Sequence, residues 1–154
     1  MLLNHPAPQK KPIMKKLSLH NALRITAIVL LFIVSLNALA AGYSFIMEPS
    51  GTGLGITTEY LRPSASFKDY FIPGIVLFAV NGVLSSLIAV LAIIKQKRYP
   101  LYFVVQGCIV IGWIAIQLTM VTDFHPFHLI VAIMGAILIA IGSVLKPSDK
   151  EFGK

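Results

Sequence analysis

The chain has 154 residues, 56% of them hydrophobic and only 12% charged, with a net charge of +7 at pH 7. Soluble domains run near 25% charged, so this composition, with a mean hydropathy of +0.82, excludes an ordinary water-soluble globule and suits one domain built in lipid. The positive charges sit in short clusters between apolar runs, which argues against nucleic acid as a partner, and the single cysteine, Cys108, excludes an intrachain disulfide and any relay needing a thiol pair.

Residues 1–24 hold Lys10, Lys11, Lys15, Lys16 and Arg24 and no acid. Pro6, Pro8 and Pro12 oppose an early helix, so the expectation here is an irregular cytoplasmic tail that meets anionic headgroups. The first span, 25–47, carries no charge. Its basic lead and the Ala38-Leu39-Ala40 triplet before Ala41 also fit a secretory signal with its cleavage site. The apolar character resumes through Tyr43, Phe45, Ile46 and Met47, which favours an uncleaved helix. Asn37 lies mid-span, and Ala38, Ala41 and Gly42 offer a small face to a neighbour.

Residues 48–70 form the long connection, EPSGTGLG followed by a second turn-rich stretch. Glycine-rich text cradles phosphate only when it follows a strand and opens a helix with a lysine. Here it follows an apolar span and lacks that lysine, so it reads as a re-entry over the mouth of a bundle. Residues 57–61 suit one helical turn, Phe67, Tyr70 and Phe71 suit the headgroup level, and Asp69 suits a cap for the next helix, with Pro73 in its first turn.

The second span, 71–94, organises the rest. It is uncharged, yet carries Asn81 near its middle and Gly82, Ser85, Ser86 and Ala89 along one side. A bilayer crossing takes about 20 apolar residues, and an asparagine at that depth must face other helices. After a short turn with Lys95, Lys97 and Arg98 comes the third span, 101–121, holding Gln106, Cys108, Gly112, Trp113 and Gln117. A second short turn, TDFHPF, leads to the fourth span, 128–145, where Ala132, Ala136 and Ala140 recur beside Gly135 and Ser143. The tail, 146–154, is polar. The expected fold is therefore all-α, a polytopic four-helix antiparallel transmembrane bundle over residues 25–145.

Eleven of the thirteen Lys/Arg lie in the N-terminal tail, the 95–98 turn and the C-terminal tail. The positive-inside bias then places both termini in the cytoplasm of a multi-pass protein of the inner (cell) membrane. The outer loops hold Glu48, Glu59, Asp69 and Asp123, four of the six acids.

Two polar sets are candidates for function. Asn81 with Ser85, and Trp113 with Gln117, are spaced i, i+4, so each pair shares a helix face. If the faces meet, the bundle has a polar seam opening outward. The plain reading is interhelical hydrogen bonding. The functional one is a cavity for a lipid or another hydrophobic ligand, lined by Asn37, Asn81, Trp113 and Gln117, with Tyr43, Glu48 and Asp69 at its mouth. The second set is Glu48, Asp69, Asp123, His125 and His128 at the outer rim. Carboxylates with imidazoles suit zinc or general acid/base work by Asp69, Asp123 and His125. His125 and His128 straddle Pro126 and do not have the i, i+4 spacing of a helical metal motif; no cofactor is required by this reading. No ionisable group lies inside any span, which disfavours an ion-coupled transporter. The partners expected are membrane lipids, a small hydrophobic ligand, and further copies or other helices docked through small-residue stripes.

The stretch EPSGTGLGI…SFKDYFIPGIVLFAVNG, with GWIAIQ in the third span, resembles a group of small bacterial four-helix membrane proteins of unknown function. The resemblance implies a four-span bundle with the 48–70 loop outside and brings no activity with it. The architecture is similar to that of the DoxX-like proteins, and similarity to vitamin K epoxide reductases stops at helix count, because Cys108 stands alone.

Overall fold

The computed structural model describes residues 11–145, with side chains from Leu19 onward. Residues 1–10, with Pro6 and Pro8, and the 146–154 tail lie outside the described residues. Four long helices dominate: α1 (Lys11–Met47), α2 (Phe71–Ile93), α3 (Tyr99–Met120) and α4 (Pro126–Val144). Each contains a stretch long and apolar enough to cross a membrane. Their outward faces are as apolar as their contacts, with Leu36, Ile93, Leu129 and Val144 all more than half exposed. Among the described residues there is no strand, only one isolated bridge between Leu61 and Val121.

The first helix departs from expectation. It begins at Lys11, well before Ile25, so at least the second half of the expected irregular tail is helical. Pro12 does not prevent this, because the first turn of a helix needs no N–H donor there. The extension has a tertiary anchor: His20 Nε2 lies 2.8 Å from the Tyr99 hydroxyl at the start of α3. Prolines occupy the first turns of α3 and α4 as well, at Pro100 and Pro126.

The helices associate as two close pairs. In the α1–α2 pair, a Cβ on Gly42 would sit 2.7 Å from the Phe78 nitrogen, and one on Gly74 would sit 2.8 Å from the Phe45 Cβ. In the α3–α4 pair, a Cβ on Gly107 would lie 2.5 Å from the Gly135 carbonyl oxygen, and one on Gly142 would lie 2.5 Å from the Pro100 carbonyl. Backbones approach this closely only where side chains are absent. The alanine stripe of α4 is not the contact. Gly135 and Gly142 are buried against α3, whereas Ala136 and Ala140 are exposed.

The turn after α2 closes on Lys95, which adopts φ 56° while Gln96 N–H reaches back to the Leu91 carbonyl at 2.9 Å. This is a left-handed helix stop made without glycine. At that end of the molecule the pairs meet in a filled core, in which Ala27 and Leu31 of α1 share a cluster with Ile88, Ala89, Phe103, Leu138 and Ile141.

At the opposite end the 48–70 connection folds over the bundle. It contains two single 3-10 turns, Thr52–Leu54 and Thr58–Tyr60. Gly51 has φ 75°, and a side chain there would run into the Ile56 carbonyl. Arg62 ties this loop to the α3–α4 turn: its N–H donates to the Met120 carbonyl at 2.8 Å and its Nε to the Val121 carbonyl at 2.6 Å. The Thr122 N–H returns to the Tyr60 carbonyl at 2.9 Å. Tyr70 is not a headgroup-level aromatic. It is 4% exposed, stacks on Phe45 at 4.7 Å, and donates from its hydroxyl to the Thr57 carbonyl at 3.2 Å.

Candidate functional site

The centre of α2 is not an α-helix. Leu77–Val83 forms a π turn with Asn81 in it. The Leu84 N–H reaches back to the Ala79 carbonyl and passes over that of Val80. Gln106 Nε2, fully buried on α3, donates to the Val80 carbonyl at 3.2 Å. Ser35 Oγ of α1 donates to the Gly82 carbonyl at 2.9 Å and also meets Ser86 Oγ. Gln106 of the neighbouring α3 therefore satisfies the carbonyl that the π turn leaves out, and Ser35 of α1 adds a second bond to the same turn. Ser35 and Gln106 are the residues that sequence reasoning missed as partners of α2. Their signal was present: a serine in register with Ala38 and Gly42, and a glutamine inside an uncharged span.

Above this turn the two pairs part. Between them lies a cleft of about 640 Å³, walled by Val34, Ala38 and Phe45 of α1, Pro73, Leu77 and Asn81 of α2, Trp113, Ile114 and Gln117 of α3, and Val131 and Met134 of α4. Leu54, Ile56, Tyr60 and Tyr70 of the loop roof it. Its size suits a small apolar ligand. One edge is made by residues that also face outward, Ile33 and Asn37 on α1 and Phe127 and Ile130 on α4. The cleft is therefore open along the side of the bundle between α1 and α4.

The expected site residues separate into three groups. Asn81, Trp113 and Gln117 come together on the cleft wall. Asn81 is 3% exposed and Trp113 is 9% exposed, and neither the Asn81 Nδ2 nor the Trp113 Nε1 has a hydrogen-bond partner. Ser85, expected on the same face as Asn81, is fully buried outside the cleft, because the π turn breaks the i, i+4 relation. Asn37 sits on the open edge, exposed, with its Nδ2 donating to the Ile33 carbonyl of its own helix at 2.8 Å.

Tyr43, Glu48 and Asp69 do not form the mouth. Tyr43 is 57% exposed and points away from the cleft. Glu48 accepts from the hydroxyls of Ser50 and Thr52 and so folds the glycine loop on itself. Asp69 Oδ1 accepts from the Phe71 N–H at 3.0 Å, the helix-start role its position suggested. For Glu48 and Asp69 local chemistry wins: acidic side chains in turns bond the nearest backbone or hydroxyl.

Asp123, His125 and His128 do line the mouth. They do not join Glu48 or Asp69 there, and no group of three or more His, Cys, Asp or Glu side chains among the described residues can hold a metal ion. The histidines are instead engaged at the start of α4. His125 Nδ1 accepts from the Phe127 N–H at 3.3 Å, and His128 Nδ1 accepts from the His125 N–H at 3.2 Å. The rim set therefore gives α4 its cap and brings neither a second carboxylate nor Asp69 to Asp123 and His125.

At the roof, burial first and the nearby Tyr60 phenol second push the Tyr70 hydroxyl above its ordinary value. Tyr70 therefore stays a neutral donor to Thr57. Comparison of the chain with family models, with curated proteins and with solved structures found no match, so the site is read from its own chemistry.

Proposed function

We propose that the chain is a non-enzymatic component of the inner (cell) membrane that holds a small lipid-like ligand in the cleft between its two helix pairs. In this reading the four helices lie antiparallel across the bilayer, both termini are cytoplasmic, and the 48–70 loop roofs the cleft on the outer side. The distribution of Lys and Arg supports that orientation. The observation that carries the reading is the cleft itself. It is apolar, of ligand size, open toward the surrounding lipid, and holds two buried N–H groups with nothing to bond. A structural amide seam needs its amides paired; these are not. The kinship suggested by the EPSGTGLGI…DYFIPGIVLFAVNG pattern is compatible with it. Assembly through the exposed small face of α4, at Ala136 and Ala140, is a secondary part of the proposal.

The rim-enzyme reading has less support, because Asp69 and Glu48 are committed elsewhere and the histidines cap α4. Native mass spectrometry of the detergent-purified chain tests the ligand reading. A retained lipophile is expected in the wild type and absent from Ala41→Phe, which fills the cleft from α1. An empty wild type, or equal retention in both, overturns it.

A further inference from the structure

We infer that the ligand of this cleft is a neutral lipophile carrying a hydrogen-bond acceptor oxygen of the ketone, ester or quinone kind, and that Asn81 and Trp113 bind that oxygen. This rests on the proposed ligand-holding role and names its chemistry.

Two donors on the cleft wall lack partners. The indole N–H of Trp113 can only donate, and the Asn81 Nδ2 likewise presents N–H. Both line one cleft, on α3 and α2. A buried donor left unpaired is costly, so what settles against this wall of the cleft should accept. Nothing charged faces them. The carboxylate and imidazole side chains of the cleft, Asp123, His125 and His128, belong to the turn and first residues of α4 at the mouth, and the Tyr60 and Tyr70 phenols lie in the roof. Counted along α2 from Phe71, Asn81 lies about 15 Å deep, and Trp113 lies about 10 Å below the end of α3 at Met120. A carboxylate or ammonium at that depth would have no counter-charge. A neutral oxygen on an apolar body meets the donors without that cost. The side opening between α1 and α4, edged by Ile33 and Ile130, lets such a molecule enter from lipid without crossing water. The π turn has a role here too. It carries Asn81 on the cleft wall, while Gln106 takes up the Val80 carbonyl it passes over.

The test uses the full chain in lipid nanodiscs. Because Trp113 is the single tryptophan, an indole-¹⁵N-labelled sample gives one indole N–H resonance. It is titrated with 2-tridecanone, ¹³C-labelled at the carbonyl, and separately with tridecane. The ketone should move the indole proton downfield in a saturable way and bind about tenfold more tightly than the alkane, the fold-change expected for one hydrogen bond to a buried donor. The ketone carbon should shift downfield too, and that readout survives in Trp113→Phe, where its shift should shrink. Asn81→Leu should weaken the ketone by a similar factor of about ten and leave the alkane unchanged. If ketone and alkane both bind equally with no downfield shift, the acceptor assignment fails while the ligand site stands. If neither perturbs the indole nor the carbonyl carbon, the ligand site fails as well.

Discussion

The two ends of the bundle are built from the same four helices and come out differently. At the turn end, Leu31, Phe103 and Leu138 are fully buried and close the space between the pairs. At the loop end, Trp113 and Asn81 are buried yet face a void, and the pairs are bridged by the Arg62 segment rather than by side-chain packing. Hydrophobicity does not distinguish the ends, since both are apolar. What differs is residue shape at the crossings. Gly107 with Gly135 and Gly142 with Pro100 weld α3 to α4 along their length, whereas α1 and α4 meet only at the turn end. Two rigid pairs joined at one end leave a wedge at the other.

That contrast can be broken most severely at the weld. Gly107→Leu drives a side chain into the Gly135 carbonyl, and overpacking of this kind costs about 1–3 kcal/mol or more; the variant is expected to lose its monodisperse peak in detergent chromatography after mild heating. Next, the two ends should answer differently to truncation. Leu138→Ala in the filled core should cost about 2–5 kcal/mol. Leu77→Ala on the cleft wall should cost about 1 kcal/mol or less, because its neighbours already face space. Thermal melts of both variants in one detergent decide this, and equal costs would mean the cleft is closed in solution. Gln106→Leu strips the Val80 carbonyl of its donor and is expected to cost about 0.6 kcal/mol, the usual scale of an interhelical hydrogen bond. Reversible unfolding in mixed micelles reads it. One change of similar size is a gain: Lys95→Gly relieves the left-handed stop and should stabilise by a few tenths of a kcal/mol, up to about 1 kcal/mol.

The roof allows a pH test. The Tyr70 phenol is raised in the folded chain, so the neutral form is the one that folding favours. Its contribution is intact below the ordinary phenol value near 10 and is lost as pH rises through the higher folded value. Ultraviolet difference titration should show late-ionising tyrosine absorbance, and Tyr70→Phe should reduce its amplitude.

Much of the architecture was legible in the sequence because it rests on length and apolarity alone, and those suffice for four long helices with short turns at 95–98 and 122–125. The start of α1 was not, since Pro12 reads as a breaker until it is seen to occupy a first turn. The π turn was not, because LFAVNGV carries no local mark of it; its support comes from Ser35 and Gln106, on two other helices. The grouping of Asn81, Trp113 and Gln117 followed from depth and periodicity. The loss of Tyr43, Glu48 and Asp69 from the group did not, because each depends on where a backbone turns in space. Whether paired amides or a void lay between the spans was beyond any pattern. It depends on the angle at which rigid pairs diverge.

The π turn gives α2 one residue more than a regular helix of the same span would need. Remove any one residue between Leu77 and Val83 and the segment can run as plain α-helix, with its two halves keeping the faces they now present. The Val80 carbonyl would then take the N–H four residues on, and Gln106 would no longer be needed to satisfy it. A shortened homologous helix should therefore be found with an apolar residue at the position of Gln106, so the spare residue writes itself into a helix it does not belong to.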